Sequence, residues 1–426
     1  MNVDDLSRID GTLPNFTIAL GALVTVCGGL FLTAYARGWA PRLGVSLAVA
    51  LCIRIAAVWI AYGHTPRDVA SYFQRAGNLL RGGTDPMTHM PHFRWNFLPF
   101  MPIVFGAELK TGIAWELSGK IAPVVADLVL VVLLAKLAGA DRGRNVALLY
   151  ALCPLAFLIS GVHGQVEPVA LAFGVGGYLA ARQGRPDLAG VAMGFAIAAK
   201  TWPVLLVPGL LRDIPTRHWG RALVGIAAVP LLFLLMIPVV LGDSLPAAVK
   251  VLAGYRSFVG GWGWAGLAHV FGWIGTGYAG AGIGPVQRVG SLLTAAALVT
   301  TVALLWKRAD GVVLTAGLML AFFAATAGFG VQYLLWPVPF VLLVGDRAGA
   351  VFVTLAGAYA ATFYMFYEAV PALRGDLDVL LPVASVAVIV TGLTALPRTP
   401  YGNRQEGRAC CRPDATPASG RAHPEV

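Results

Sequence analysis

The sequence predicts an all-α, polytopic integral membrane protein, on the basis of its apolar content, its low charge and its hydropathy. Of its 426 residues, 58% are hydrophobic and only 12% are charged, and the mean hydropathy is +0.74. A soluble globular chain carries about 25% charged residues, so this chain has too few charges to cover a water-exposed surface. The excess apolar side chains must face lipid. The composition therefore excludes a soluble enzyme, a secreted disulfide scaffold, a coiled coil and a disordered protein.

The apolar residues fall into runs long enough to enter a membrane. They cover residues 16–36, 43–62, 117–139, 145–161, 166–182, 188–212, 222–241, 289–306, 311–328, 331–344, 348–368 and 379–397. Each spanning run must be helical, because lipid offers no partner for backbone N–H and C=O groups. Lys200 and Pro203 interrupt one run, which predicts two short helices that meet at one membrane face. The runs predict a transmembrane domain over residues 1–397 with about 11–13 membrane-spanning helices.

The distribution of Arg and Lys predicts the orientation of these helices. With alternating spans, the short basic loops and the tail fall on one side, namely 37–42, 140–144, 182–187, 212–221, 307–310, 345–348 and 398–426. Basic residues collect in cytoplasmic loops, so this side is expected to face the cytoplasm and the tail to be a disordered cytoplasmic segment. The net charge of +10 is then explained by basic residues in cytoplasmic loops, and no nucleic-acid partner is expected.

Two long loops, 64–96 and 244–288, remain on the opposite side and also hold several basic residues. The stretch 97–115 contains Glu108 and Lys110 as well as prolines, so it is a poor span and is expected to lie along the outer surface. Cations in outer loops run against the usual bias of membrane proteins. The two loops are therefore expected to form the active-site face.

The first outer loop presents a carboxylate where the second span ends. Asp68, Tyr72 and Arg75 are spaced at i, i+4 and i+7, which predicts that they share one face of a short helix. One interpretation of Asp68 is a helix cap or a surface ion pair. The other is a general base at the membrane surface, where partial burial tunes its pKa.

This loop resembles the first outer loop of GT-C glycosyltransferases. The shared pattern is an Asp after an early span, then a Tyr, a helix of small residues that closes in Leu79-Leu-Arg-Gly82, and an Asp-Pro turn at Asp85. It is similar, more narrowly, to the polyprenyl-phosphate-mannose-dependent mannosyltransferases of glycosyltransferase family 87 and to PIG-M-like enzymes. The cluster Phe-Arg-Trp-Asn-Phe-Leu-Pro at 93–99 also matches. The resemblance implies a GT-C-type fold with an outer-face active site and Asp68 as the catalytic base.

A second motif carries the same resemblance, which extends over roughly residues 60–345. It reads His163-Gly-Gln165-Val-Glu167, then a helix, a basic turn, and a Gly-rich helix that ends in Lys200-Thr-Trp-Pro. The family has Trp where this chain has His163, and Asp where it has Glu167. The resemblance implies that these side chains and Tyr72 contact the sugar or the acceptor, although the substitution at 167 leaves the role of Glu167 open.

Lys200 has two interpretations. A cation within apolar sequence is costly, so it either extends to the interface or serves a function. In the functional interpretation it binds the phosphate of a lipid-linked donor as a point charge. His163 and Gln165, at an outer helix junction, are candidates for hydrogen bonds to sugar or phosphate, whereas a single His is more often structural.

Two further outer segments contain candidate binding residues. In the loop that begins at Lys250, Arg256 is a candidate phosphate ligand, and Trp262 and Trp264 either form an interfacial aromatic belt or a face for a sugar ring. At another outer turn, Gln332 and Tyr333 resemble the polar pair that GT-C enzymes present to a lipid-linked donor, or are ordinary polar ends of spans.

Two charged residues lie inside predicted spans. Arg54 is in the second span and needs a partner, because an unpaired charge in the membrane is costly. Asp127, in the third span, is the partner we expect for it. This pair is predicted to be structural.

The sequence contains no phosphate-binding or dinucleotide-binding Gly motif and no metal-ligand spacing, so no metal and no cofactor are expected. We therefore expect a mannosyltransferase of the cell membrane that uses a polyprenyl-phosphate-linked sugar outside the cytoplasm and inverts its anomeric centre. The acceptor hydroxyl belongs to a lipid, a glycan or a peptide. The alternative is a secondary transporter or a flippase for lipid-linked sugars, although two matching halves are not visible in the sequence.

Overall fold

The computed structural model describes residues 12–90, 95, 97–256, 258–280 and 282–395. Across these residues the secondary structure is helical, with no strand and only isolated β-bridges from Val259 to Gly277 and to Gly328. The expected disordered tail at 398–426 lies outside the described residues, as do positions 93, 94 and 96 of the aromatic cluster. The all-α prediction is confirmed.

The helices are numbered here in chain order. The α-helices are α1 (Thr12–Arg37), α2 (Leu43–Ile60), α3 (Gln74–Arg81), α4 (Pro86–His89), α5 (Phe100–Leu109), α6 (Trp115–Ser118), α7 (Ile121–Leu152), α8 (Pro154–Phe157), α9 (Glu167–Arg182), α10 (Pro186–Ala199), α11 (Val207–Asp213), α12 (Trp219–Val240), α13 (Leu245–Gly254), α14 (Gly263–Val270), α15 (Ile283–Leu305), α16 (Gly311–Ala325), α17 (Val338–Val344), α18 (Arg347–Thr362) and α19 (Arg374–Thr394). Three π-helical turns, π1 (Asp68–Phe73), π2 (Leu158–His163) and π3 (Phe363–Glu368), and four 3₁₀ turns, Trp202–Leu206, Thr216–His218, Val331–Leu335 and Pro371–Leu373, complete the described elements.

Among the described residues, seven helical segments are long and apolar enough to cross a membrane. They are Asn15–Arg37, Leu43–Ile60, Trp115–Leu152, Thr216–Val240, Ile283–Leu305, Arg347–Glu368 and Arg374–Thr394. Most other predicted runs form apolar helices of 10–17 residues. The multi-pass membrane fold is confirmed, but full-length spans are fewer than the expected 11–13, because several runs are broken by glycine or proline.

Two apolar segments show how glycine or proline interrupts a helix. Within α7, Gly139 has a φ of +80°, so the helix bends there and its two arms correspond to two of the predicted runs. The run 188–212 divides as predicted: α10 ends at Ala199, Lys200 is extended, and a new helical segment starts at Trp202. Pro203 lies in the first turn of that segment, where its missing N–H costs no hydrogen bond.

The short loops that were expected on one side of the membrane meet at one end of the molecule. Asn145 donates to the Trp39 carbonyl at 2.8 Å, and Arg142 donates to the Leu343 carbonyl at 2.9 Å. Further contacts of the same kind join Arg182 to Leu137, Arg221 to Asp187, Arg212 to Trp306 and Gly311 to Asp213. We call this the basic end.

The stretch 97–115 forms α5 and α6, and α5 is too short to span a membrane. It is not an exposed surface helix: Met101 and Phe105 are fully buried. The Phe105 ring stacks on that of Phe73 at 4.9 Å, and a Cβ added to Gly77 of α3 would lie 2.9 Å from the Phe105 Cβ. This close packing of α5 on α3 holds π1 in place.

The predicted pair of Arg54 and Asp127 is confirmed. The Arg54 guanidinium donates to Asp127 at 2.9 Å, and neither side chain is exposed. The Asp127 carboxylate also accepts from the Tyr150 hydroxyl at 2.5 Å and from Ser160 at 2.9 Å. This network joins α2, α7 and π2 in the centre of the molecule.

Candidate functional site

Three π-helical turns meet at the end of the molecule opposite the basic end. Each contributes one polar side chain to a hydrogen-bonded chain: Asp68 starts π1, His163 ends π2 and Tyr364 lies in π3. A π-turn adds a residue to a helical turn and frequently occurs at functional sites. These residues lie 95 or more positions apart in sequence, so only the tertiary fold brings them together.

The side chains of this hydrogen-bonded series lie at short distances from one another. His163 Nε2 lies 3.0 and 3.1 Å from the two carboxylate oxygens of Asp68, and His163 Nδ1 lies 2.6 Å from the Tyr364 hydroxyl. A proton on Nε2 lets the imidazole donate to Asp68; Nδ1 then accepts from the tyrosine hydroxyl in the neutral ring and donates to it in the imidazolium. The Gln165 amide donates to Asp68 Oδ2 at 2.5 Å. We call Asp68, His163, Gln165 and Tyr364 the aspartate cluster.

A glycine makes the position of Gln165 possible. Gly164 ends π2 with a φ of +82°, a conformation that favours glycine, and turns the chain so that Gln165 reaches Asp68. A Cβ at Gly164 would also lie 3.0 Å from the side chain of Lys120. The His-Gly-Gln spacing of the sequence motif therefore has a geometric basis.

The surroundings of Asp68 stabilise its charged form. Burial by itself raises the pKa of the carboxyl, but the charge and hydrogen bond of His163, the Val69 backbone N–H and the charge of Lys200 outweigh burial and lower this pKa below its usual value. The Asp68 side chain is still 39% exposed, whereas that of His163 is only 6% exposed. Asp68 is thus an ionised, accessible carboxylate whose partners lie behind it.

Lys200 and Glu167 form a second ion pair close to this cluster. The Lys200 ammonium is hydrogen-bonded to Glu167, whose side chain is fully buried. The same ammonium lies 5.3 Å from the Phe97 ring centroid and 5.5 Å from that of Tyr333. Aromatic faces at this distance attract a cation. The second Glu167 oxygen is buried without a partner among the described residues.

Asp68 and Lys200 line one cavity of about 520 Å³. Its polar lining includes Arg67, Asp68, His163, Gln165, Lys200, His269, Thr276, Gln332, Glu368 and Asp378. Its aromatic lining consists of Tyr72, Phe73, Phe97, Tyr255, Phe258, Tyr278, Phe329, Tyr333, Tyr359, Phe363, Tyr364 and Tyr367. A pocket of this size that combines aromatic and polar side chains is typical of a site for a small molecule or a substrate head group. We call it the main cavity.

The cavity brings together most of the side chains that the sequence singled out. Tyr72, Gln332 and Tyr333 line it together with Asp68 and Lys200, and the Tyr333 ring centroid lies 5.5 Å from the Lys200 ammonium. The expectation that Arg75 shares a face with Asp68 and Tyr72 is wrong: Arg75 lines a separate surface pocket with Gln74 and Asn78. The reason is that π1 has a wider turn than an α-helix, so the i+7 position rotates away.

Four candidates are not in the lining of the main cavity. Glu167 is the ion-pair partner of Lys200, and Arg256 lies between the lining residues Tyr255 and Phe258 without lining the cavity itself. Trp262 is 1% exposed, stacks on Phe329 at 4.1 Å and donates to the Phe323 carbonyl. Trp264 donates to the Ala325 carbonyl at 2.9 Å. Both indoles pack on the helices behind the cavity, because their N–H groups find backbone partners there.

Sequence reasoning did not single out Tyr364 or Tyr255, and it found no motif around Glu368. The signal was present in the aromatic run Phe363-Tyr-Met-Phe-Tyr-Glu at the end of a span, where polar aromatic side chains are common as interface anchors. Nothing local distinguishes such an anchor from a residue that supports a catalytic group. In the described part of the chain, no group of three or more His, Cys, Asp or Glu residues could hold a metal ion.

A protein-family model matches this chain. The family model of glycosyltransferase family 87 matches residues 88–328, which is more than half of the chain. The matched segment includes His163, Gln165 and Lys200, whereas Asp68 and Tyr364 lie outside it. No curated protein matches the chain.

Proposed function

Since the chain belongs to glycosyltransferase family 87 and is therefore a membrane glycosyltransferase, we propose that it is an inverting α-mannosyltransferase with a polyprenyl-phosphate-mannose donor. The observation that carries this proposal is the aspartate cluster. One ionised carboxylate, held by His163 and Gln165, faces an aromatic cavity of about 520 Å³ that also contains the Lys200 ammonium. A base and a cation on one cavity are what displacement of a phosphate by a hydroxyl requires.

In the proposed reaction, Asp68 is the general base. Its carboxylate takes the proton of the acceptor hydroxyl as the acceptor oxygen bonds to the anomeric carbon of the donor. The bond from that carbon to the phosphate oxygen breaks, and its electron pair leaves with the polyprenyl phosphate. Attack opposite the leaving group inverts the anomeric centre, so a β-linked donor gives an α-glycoside. No metal, redox partner or nucleotide enters this balance.

The lowered pKa of Asp68 has two opposite effects on its proposed role as general base. A carboxylate with a low pKa is a weak base, but it is fully ionised across the neutral range. His163 and Gln165 leave one side of the carboxylate open to the cavity. In a displacement with a good leaving group, the base is needed late, when the attacking hydroxyl has become acidic, so an ionised and well-oriented carboxylate is sufficient.

Lys200 is proposed to hold the donor phosphate. Its charge is already balanced by Glu167, which holds the ammonium in position. Ammonium groups have three donors, so Lys200 can keep its bond to Glu167 and still donate to a phosphate oxygen. Gln332 and Tyr333, which line the same cavity, are proposed to contact the same phosphate. The tyrosines of the cavity offer flat faces and hydroxyls to the sugar.

The membrane orientation is part of the proposal. The aspartate cluster lies at the end of the molecule opposite the basic end, and basic loops favour the cytoplasm. We therefore place the main cavity outside the cytoplasm, in a cell membrane, where a lipid-linked sugar is a suitable donor. A single cysteine at Arg81 should react with an impermeant maleimide in intact cells, and one at Gln183 should not. The reverse labelling pattern would contradict the orientation.

The decisive experiment is an assay of purified protein in lipid nanodiscs with radiolabelled polyprenyl-phosphate-mannose and a panel of acceptors. The panel contains alkyl mannosides, phosphatidylinositol, a polysaccharide and a Ser/Thr-containing peptide. Transfer of label to one of them, with α-configuration by enzymatic digestion, supports the proposal. Parallel reactions with polyprenyl-phosphate-glucose test the choice of sugar. Movement of intact donor across a liposome membrane without cleavage would favour the transporter alternative instead.

A further inference from the structure

A second cavity lies beside the main one. It has a volume of about 270 Å³, and its walls include Phe16, His64, Thr65, Arg67, Tyr364 and Glu368. Pro66, Arg67, Tyr364 and Glu368 also line the main cavity, so these four residues form the partition between the two. Lys200 lines the main cavity and is not among the residues that line the second. We call this smaller space the side cavity.

The side cavity contains polar groups that the described fold leaves uncommitted. The Arg67 guanidinium and the Glu368 carboxylate make no side-chain hydrogen bond or ion pair to any described residue. The Thr65 hydroxyl oxygen is buried and has no partner among the described residues. Buried polar atoms are almost always paired in folded proteins. An unsatisfied hydroxyl on the wall of a cavity indicates that a ligand or water completes its hydrogen bonds.

The apolar part of the wall is aromatic. Phe16 of α1 is 5% exposed and stacks on the His64 ring, with centroids 4.5 Å apart. A flat aromatic surface, a planar guanidinium, a carboxylate and a hydroxyl together suit a ligand with apolar C–H faces and several hydroxyls. A phosphate suits this wall less well, because the carboxylate of Glu368 would repel it next to Arg67.

The direction of the reaction assigns a role to this space. In an inverting displacement, the acceptor oxygen approaches the anomeric carbon from the side opposite the leaving group. Lys200 lines the main cavity only, whereas Arg67, Glu368 and Tyr364, which bonds His163, line both cavities. Asp68 follows Arg67 in the chain and lines the main cavity. An acceptor held in the side cavity would therefore extend its hydroxyl across this partition to Asp68, while the donor phosphate stays in the main cavity at Lys200.

We propose that the side cavity is the acceptor subsite and that it binds a neutral, hydroxyl-rich head group such as a sugar or another polyol. This inference rests on the proposed function, because it takes the donor phosphate to bind at Lys200. Arg67 and Glu368 hydrogen-bond hydroxyls of the head group, Thr65 completes its hydrogen bonds with the same ligand, and Phe16 and His64 pack against the sugar face. The reactive hydroxyl then lies beside Asp68.

The test uses octyl α-mannoside as acceptor and polyprenyl-phosphate-mannose as donor, with full-length protein in nanodiscs. Thr65→Val removes the unpartnered hydroxyl and keeps the shape, and Glu368→Gln removes one charge. Each change should raise the KM for octyl mannoside about 3- to 10-fold, since each removes one hydrogen bond to the ligand. In Thr65→Val, whose changed side chain lines the side cavity and not the main cavity, the KM for the donor should stay at the wild-type value. Thr84→Val, a matched change in the separate surface pocket, should leave both KM values unchanged.

A binding measurement makes the test independent of turnover. A diazirine-bearing octyl mannoside should label peptides that contain residues 64–67 or 363–369, in wild-type protein and in the inactive Asp68→Asn variant. Excess octyl mannoside should compete, and octyl phosphate should not. Competition by octyl phosphate alone, or labelling confined to other peptides, would overturn the proposal.

The two proposals fail differently. If wild-type protein hydrolyses the donor and the Thr65 and Glu368 variants keep the wild-type KM for octyl mannoside, the acceptor subsite is elsewhere and the proposed function stands. If the wild-type protein neither transfers nor hydrolyses mannose from the donor, the proposed function itself has failed.

Discussion

Two aspartates in this molecule lie in hydrogen-bonded clusters with opposite properties. Asp127 has a side-chain exposure of 0% and accepts from Arg54, Tyr150 and Ser160. Asp68 is 39% exposed and accepts from His163, Gln165 and the Val69 backbone N–H. Both carboxylates lie among helices of the same membrane protein and have three hydrogen-bond donors each. The comparison teaches that access from the cavity, more than the number of partners, separates the structural carboxylate from the proposed base.

The surroundings of the two clusters explain the difference. Arg54, the partner of Asp127, also donates to the carbonyls of Tyr150 and Ala151, near the end of α7. In a continued helix the Tyr150 carbonyl would accept from residue 154, but Pro154 has no N–H, so this carbonyl accepts from the Cys153 backbone N–H at 3.2 Å and from Arg54. Asp127 therefore fixes a cation that caps a helix end. Asp68 lies on a π-turn beside a cavity, and its network leads outward through His163 to Tyr364.

The largest effect is expected from Asp68→Asn. The amide keeps the size of the side chain but cannot take a proton, so turnover should fall about 10²–10⁴-fold while the protein stays folded. The measurement is mannosyl transfer at equal amounts of monodisperse protein.

Two carboxylates serve as controls for Asp68. Asp85, in the same loop, accepts from the Met87 backbone N–H at 3.1 Å as a helix cap, and asparagine caps equally well, so Asp85→Asn should be mild. Asp187→Asn removes an exposed ion pair with Arg221 at the basic end and should change little. Normal turnover of Asp68→Asn together with an inactive Asp85→Asn would move the base to Asp85.

The counterpart change, Asp127→Asn, should affect stability instead of chemistry. It leaves the Arg54 charge buried without compensation, which costs about 3–5 kcal/mol. Thermal unfolding in detergent should show a lowered midpoint, and the protein that remains folded should have the wild-type kcat. A double change, Arg54→Leu with Asp127→Leu, should recover part of the loss only, because the carbonyls of Tyr150 and Ala151 lose their donor. A wild-type midpoint for Asp127→Asn would contradict the structural assignment.

Lys200 has two possible roles, which are binding of the donor phosphate and extension to the membrane interface. A double variant of Lys200 and its ion-pair partner Glu167 separates them. Lys200→Met alone leaves Glu167 buried and unpaired, so loss of activity would have two causes. Lys200→Met with Glu167→Gln removes the pair without a stranded charge. We expect this protein to fold and to use the donor about 10²-fold less efficiently, as kcat/KM for donor shows. Wild-type donor use by the double variant would indicate that Lys200 only extends to the membrane interface and does not bind the donor.

The smallest effect is expected from His163→Phe, read from the pH profile. Without the imidazole, the burial that raises the pKa of Asp68 is less opposed, so this pKa should rise. The carboxylate is then protonated at a higher pH, and the acidic limb of kcat/KM moves upward. Relative to wild type, the variant should lose a larger fraction of its activity at acidic pH than at pH 8. Tyr364→Phe keeps the bond between His163 and Asp68 and should move the limb less. A uniform loss at every pH would indicate that His163 only supports the fold.

The sequence by itself determined much of this protein. Its low charge and long apolar runs required helices in a membrane, because lipid cannot satisfy backbone hydrogen bonds. The cost of an unpaired charge in a span was enough to predict a partner for Arg54, and the Lys200–Pro203 break was visible because those residue types interrupt an apolar helix. The Arg-rich loops also identified one end of the molecule. These conclusions follow from local chemistry.

Only the tertiary structure decided which side chains share the site. Tyr364 lies 201 residues after His163, and nothing near it in sequence marks it as a partner. The π-turn at Asp68 separated Arg75 from Tyr72, although an ideal α-helix would align them, because an added residue in a turn depends on the packing around it. Trp262 and Trp264 pack away from the cavity since backbone carbonyls on α16 accept from their indoles. Periodicity and composition fix elements that are satisfied locally, whereas the site depends on contacts between distant segments that no local pattern records.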